Sequence, residues 1–222
     1  MNATESQLSE TELAIMKATY RALCTHGYAN LTMAAIAGEF DKSKSLIHYH
    51  YATKQDLLAA FMEFLLDRLA AKVEAADAND AAAKIDLVLD ALLFGPEDAE
   101  DFQRAMLELR AQAPHDAVYR KQLAENDASV RRLLADTIES GVEAGTFAPV
   151  DSERTAELVL VMIEGARTRR TVFGDDDVLD NTHEAILALL HEGTIVEGPL
   201  DADASDDGLA EGYRDSSGGA AE

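Results

Sequence analysis

The chain has 222 residues, enough for one large domain or a small one joined to a larger one, and 47% are hydrophobic, enough for a sizeable core. Aromatics make up 6%, Trp is absent, Gly and Pro number 13 and 4, and Ala and Leu fill long windows, which favours an all-α protein over a sheet. A formal net charge of -23 argues against nucleic acid if it is spread evenly, because phosphate would repel it.

It is not spread evenly. Residues 1–60 hold 5 Lys+Arg and 6 Asp+Glu, a balance of -1, which leaves -22 for the rest. Between Phe40 and Gln55, Lys42, Lys44 and Lys54 face Asp41 alone, a balance of +2. Acid is thus kept away from one spot. Acid spread over many helices with few Lys fits adaptation to a salt-filled, halophilic cytoplasm, where repulsion is screened. An ordinary acidic protein with an acidic tail is the alternative. The lone Cys24 allows no intrachain disulfide and lies in an apolar helical pattern, as a small core residue would. The first ten residues have neither a basic region nor an apolar run, and no 18-residue apolar stretch exists, so a cytoplasmic protein with no membrane partner is expected.

In chain order, Ser9 and Glu12 fit a capping box ahead of a helix carrying Leu13, Met16, Tyr20, Leu23 and Cys24, which Gly27 ends. Thr32 caps a second helix from Met33 to about Phe40, with Ile36 and Phe40 inward. Ser43 caps a third, to about His50. Thr53 caps a long fourth, with Asp56 at its third position and no breaker until about Ala76. Asn79-Asp80 begins a fifth, which Gly95-Pro96 stops, and a sixth runs to about Gln112. Pro114 breaks the chain before a long segment from about His115 to Ala144. Asp151 or Ser152 caps a helix to about Phe173. The acidic turn 174–177 leads to a last helix ending near His191. Residues 197–222, rich in Asp, Glu, Gly, Ser and Ala, read as a disordered acidic tail. The expected organisation is 1–52 as a helix-turn-helix unit, 53–193 as a larger helical ligand-binding and dimerisation domain, and 194–222 as tail.

The stretch from Leu31 to Leu58 joins a helix, a sharp turn, a second short helix and the start of a third, where positive charge is in local excess. Such a helix-turn-helix places its second helix against base edges, while cations and helix N-termini hold phosphates. Lys44, Ser45, His48 and Tyr49 lie along that helix, and Ile47 should lock it inward against Ile36. Thr32, Thr53 and Lys54 lie at helix N-termini, where N–H groups and the dipole attract phosphate. His48 and His50 are two apart, on different helix faces, so no metal site is expected.

Residues Ile15, Ala18, Gly27-Tyr28, Thr32, Ile36-Ala37, Ser43, Ile47, the HYHY run at 48–51, Lys54 and Leu57-Leu58 together resemble the N-terminal domain of the TetR family of transcriptional regulators. By position, the resemblance implies that Lys44, Ser45, Leu46, His48 and Tyr49 face bases or groove, and that Thr32, Ser43, His50 and Lys54 face phosphate. The turn departs from the family's Ala-Gly-Val-Ser and reads Phe40-Asp41-Lys42-Ser43; Lys42 must snorkel or reach phosphate. His48 stands where Tyr is common.

The resemblance also implies an effector pocket among the middle helices, with helix four moving the recognition helices when it fills. Phe61, Met62, Phe64, Leu65, Phe94, Phe102, Met106, Leu109, Tyr119 and Leu123 could line it or simply form core. A cation at its mouth, from Arg110, Arg104 or His115, would suit an apolar or amphipathic acid; each could equally be an ordinary surface charge. Dimerisation is expected through the last two helices. Leu158, Val159, Val161, Met162 and Ile163 provide apolar surface, Gly165 and Ala166 close approach, and Ile186, Leu187, Leu189 and Leu190 a stripe. The basic run Arg167, Arg169 and Arg170 could pair with the Asp175–Asp177 turn or be solvated.

The sequence therefore reads as a homodimeric regulator, acting as a repressor on palindromic double-stranded DNA and modulated by a small apolar or amphipathic ligand, with no cofactor. The alternative is a DNA-binding regulator without an effector, controlled by abundance or salt. An enzyme is disfavoured, because no nucleophile–base set, metal cluster or phosphate loop is visible. A helical adaptor that has lost DNA binding is a further rival.

Overall fold

Ser9 opens the first helix as a capping box: its hydroxyl accepts the Glu12 N–H at 3.2 Å, and the Glu12 carboxylate accepts the Ser9 N–H at 2.9 Å. In this computed structural model residues 9–40, 43–77, 80–95 and 99–193 are described, and among them the chain is helical with no strand. The helices are α1 (Glu10–His26), α2 (Met33–Gly38), α3 (Lys44–His50), α4 (Lys54–Ala75), α5 (Ala81–Leu93), α6 (Ala99–Gln112), α7 (Ala117–Glu143), α8 (Ser152–Phe173) and α9 (Val178–Glu192). A 3-10 turn at Ala113–His115, with Pro114 inside it, separates α6 from α7. Asp41, Lys42, Asn79, Pro96 and the tail from Thr194 lie outside the described residues.

Local chemistry sets most boundaries. Thr32 and Thr53 accept the N–H groups of Ala35 and Asp56, Asp80 that of Ala83, Asp116 those of Val118 and Tyr119, and Asp151 that of Arg154. Gly27 leaves α1 at φ 67, a conformation that an L side chain resists. Two boundaries differ from expectation. α2 stops at Gly38, although Phe40 is still buried just after it. Ser43 precedes α3, but its hydroxyl meets that of Ser45 at 3.0 Å and caps nothing.

Two cores form. One joins Ile15, Leu23, Ile36, Ile47, Leu57 and Phe61 of α1–α4 to Phe102, Met106 and Leu109 of α6 and Tyr119 of α7. It thus takes in residues on both sides of the expected 52/53 boundary. The other joins the end of α4 to α5, α7, α8 and α9 through residues such as Leu89, Leu134, Ile138, Ile163 and Ile186. Cys24 packs part-buried against the first core. No described helix is long and apolar enough to cross a membrane.

Candidate nucleic-acid interface and ligand cavity

α3 is amphipathic in the way a groove-reading helix must be. Ile47 and Ile36 are both fully buried and fix it on α2, while Ser43, Lys44, Ser45, His48 and Tyr49 face solvent. Tyr49 is 83% exposed, a large ring that meets its neighbour His50 edge-on at 5.3 Å. Leu46 is half-buried against the core. His50 turns toward α1, with its ring nitrogen 3.8 Å from Glu12. The Ser9 hydrogen bonds, aided by His50, hold the Glu12 carboxyl below its ordinary value.

Lys54, expected on phosphate, is turned inward. Its Nζ donates to the Leu31 carbonyl at 3.0 Å and sits 4.4 Å above the Tyr28 ring, which in turn meets Tyr119 edge-on at 5.9 Å. Burial pushes the Lys54 amine below its ordinary pKa. The side chain thus ties α4 to the α1–α2 loop, a role its position at a helix N-terminus does not disclose. Thr32 accepts a backbone N–H as a cap and lies at the protein surface.

Below this unit lies a cavity of about 710 Å³, walled by α4–α8 and touched by Tyr20 of α1. Met62, Leu65, Phe94, Phe102, Met106, Leu109 and Arg110 line it, as do Leu160, Ile163 and Arg167 of α8. Three of the expected lining residues fall elsewhere. Phe64 is buried in the first core, with the Arg68 guanidinium over its ring. Phe61 is buried in the first core against the Phe102 ring, because α4 turns that face toward α1. Tyr119 lines a neighbouring 240 Å³ cavity. Arg104 pairs with Asp101 at the surface, and His115 does not line the cavity. Arg110 reaches Glu164 at 2.6 Å. Arg167 was missed as a lining residue: Arg169 and Arg170 of the same run pair with Asp175 and Asp176, whereas Arg167 faces the cavity. Burial first, then the Arg110 guanidinium, push its pKa down to about 10, against the pull of Glu164.

The cavity is wired to the helix-turn-helix. Tyr20 stacks on Phe102 with ring centroids 5.3 Å apart, and Glu108 on the same α6 accepts the Ala29 N–H at 3.1 Å. On the far side, α8 exposes Leu158 (41%), Val161 (59%), Gly165 and Val172, and α9 exposes Ala185 and Ala188 beside part-buried Leu187. Met162 is half-buried at the edge of this strip. Ala166, Ile186 and Leu190, expected on a partner, are instead buried in the subunit's own core, since that stripe of α9 is consumed by α5 and α8.

Comparison with known proteins adds the lineage. Residues 15–61 match the model described as bacterial regulatory proteins, tetR family, and residues 81–193, half of the chain, match that of the BetI-type transcriptional repressor C-terminal domain. A TetR transcription regulator from Haloarcula marismortui is 39% identical over 82% of this chain and 97% of that one, with a TM-score of 0.69. The chain belongs to the TetR family of transcriptional regulators. It is therefore a regulator and not an enzyme. Two further structures share the fold of this TetR-family chain: a TetR-family transcriptional regulator from Rhodococcus sp. (24% identity, 82% and 100% coverage, TM-score 0.68) and a regulator from Saccharomonospora viridis in complex with choline (22%, 86% and 100%, 0.65). No curated protein matches the chain.

Proposed function

We propose that this TetR-family regulator acts as a homodimeric repressor on a palindromic operator, and that a small apolar or amphipathic ligand in the α4–α8 cavity relieves it. One observation carries the reading: the cavity wall is built from the helix that holds the DNA-reading unit. α6 contributes Phe102, Met106 and Arg110 to the cavity and Glu108 to the α1–α2 loop, so a ligand that favours one position of α6 biases the placement of α3. In this reading residues 1–52 bind DNA, 53–193 bind ligand and the second subunit, and 194–222 form an acidic tail. Lys44, Ser45, His48 and Tyr49 read the groove, and Thr32, Lys42, Ser43 and His50 steady the backbone. The dimer uses the exposed strip of α8 with Ala185 and Ala188. The Saccharomonospora relative's choline does not transfer readily, because the cavity here is walled by more cations than carboxylates. The acid-rich surface fits work in a salt-filled cytoplasm.

The test is selection of bound DNA from random and genomic fragments, at low and at molar KCl. An enriched palindrome, bound by a dimer in light scattering, is expected. A folded dimer that enriches nothing in either salt overturns the operator reading. Enriched DNA whose affinity no apolar or amphipathic compound changes leaves a regulator controlled by abundance or salt.

A further inference from the structure

Arg167 is a half-buried cation on the cavity wall without an ion-pair partner among the described residues. Glu164, the one carboxylate whose charge supports Arg167, is already engaged by Arg110 at 2.6 Å, so two guanidiniums share one acid. The rest of the wall does not correct the imbalance. Arg68, Lys72, Arg110 and Arg167 line the cavity against Asp90 and Asp127, four cations to two carboxylates, in a chain that has 19 basic and 42 acidic residues. Between them the wall is mostly apolar, with Leu69, Phe102, Met106, Leu160 and Ile163 beside the polar Gln103 and Asn126. A partly desolvated guanidinium facing such a wall is stabilised when an anion reaches it. Its planar fork favours two parallel hydrogen bonds to a carboxylate.

We propose that the cavity takes an amphipathic carboxylate, an apolar chain with one acidic head, and that Arg167 holds the head with Arg110 beside it. The inference rests on the reading of this cavity as the effector site and names the class of compound that fills it. Its volume, about 710 Å³, is within the range of roughly 300–1,000 Å³ usual for small-molecule sites. An acidic head bound there would offset the burial that lowers the Arg167 pKa.

The test compares dodecanoate, dodecanol and dodecyltrimethylammonium below their micelle concentrations, by calorimetry at fixed KCl on the full chain. Dodecanoate is expected to bind about tenfold or more tightly than either isostere, the effect of one charge-assisted contact. In Arg167→Met, acid and alcohol are expected to bind within about twofold of each other, with helicity unchanged, and Arg167→Lys to keep part of the preference. Failure of dodecanoate to bind, equal binding of acid and alcohol to the unaltered chain, tighter binding of the ammonium, or an acid preference that survives Arg167→Met overturns the proposal. The isostere comparison needs no variant to fold. Operator release is measured separately. Arg167-dependent acid binding that leaves DNA affinity unchanged supports the anion site and sinks the effector reading. Acid and alcohol binding alike and both releasing DNA does the reverse.

Discussion

Lys44 and Lys54 belong to one basic cluster in sequence and to two jobs in space. Lys44 is exposed on α3, whereas the Lys54 amine is spent on the Leu31 carbonyl and the Tyr28 ring. Lys44→Ala is expected to flatten the salt dependence of operator affinity by about one unit of slope per subunit. Lys54→Ala should leave that slope in place and instead lower the thermal midpoint, because a part-buried carbonyl loses its donor. Titrating DNA affinity against KCl for both variants separates the two roles. Glu12 allows a second prediction. Its carboxyl lies below the ordinary value of 4.5 because Ser9 binds the charged form. A depressed acid stabilises the fold fully above its unfolded pKa, and that contribution fades as pH falls through the folded one. Glu12→Gln keeps the Ser9 cap but removes the charge, so it should cost stability at neutral pH, by about 0.3–1 kcal/mol for a charge at a helix N-terminus, and cost least in acid. Melting curves from pH 7 down into the acid range check the sign.

At the scale of elements, α6 is the part that joins sensing to reading. Its inner face lines the cavity, and Glu108 grips the loop that Gly27 turns at φ 67, where an added Cβ would meet the carboxylate at 3.1 Å. The amphipathic period of α6 was legible, and so were most of its cavity residues, because apolar spacing reports which face is inward. That the loop between α1 and α2 rests on this helix was not legible, since 79 residues separate Ala29 from Glu108. Glu108→Gln, which keeps the shape but weakens a charge-assisted bond, is expected to leave the folding free energy within about 1 kcal/mol of the parent. Ligand binding should persist while its effect on DNA affinity shrinks. Parallel ligand and operator titrations check this, and an unchanged coupling factor would show that α4 alone carries the signal.

For the whole molecule, association and charge act together. The α8 strip of Leu158, Val161, Gly165 and Val172 is apolar or small and leaves water only against another surface. Val161→Glu places a charge at its centre and is expected to yield folded monomers that bind the operator at least about tenfold more weakly, since a half-site lacks its partner's contacts. Light scattering and operator titration would show both effects. A variant that stays dimeric moves the interface off α8. With -23 formal charges per chain, two subunits must approach against their own repulsion, so dimer stability should rise with salt even as DNA contacts weaken.

Element order, caps and the helix-turn-helix could be read from residues because they are local. A threonine three residues before an acid, a glycine after an apolar stripe and a positive interval in an acidic chain act within a few turns of the backbone. Pairings across the chain could not. Arg167, Arg169 and Arg170 are near-identical in sequence, yet two meet the acidic turn and one faces a cavity, because α8 rotates by about 100° per residue and only packing says which side is inside. Ile186 and Leu190 look as available for a partner as Leu158 does, until α5 and α8 cover them. Which apolar stripe is spent within the subunit and which is left over follows from the packing of distant helices, and the dimer face and the ligand's charge both follow from that remainder.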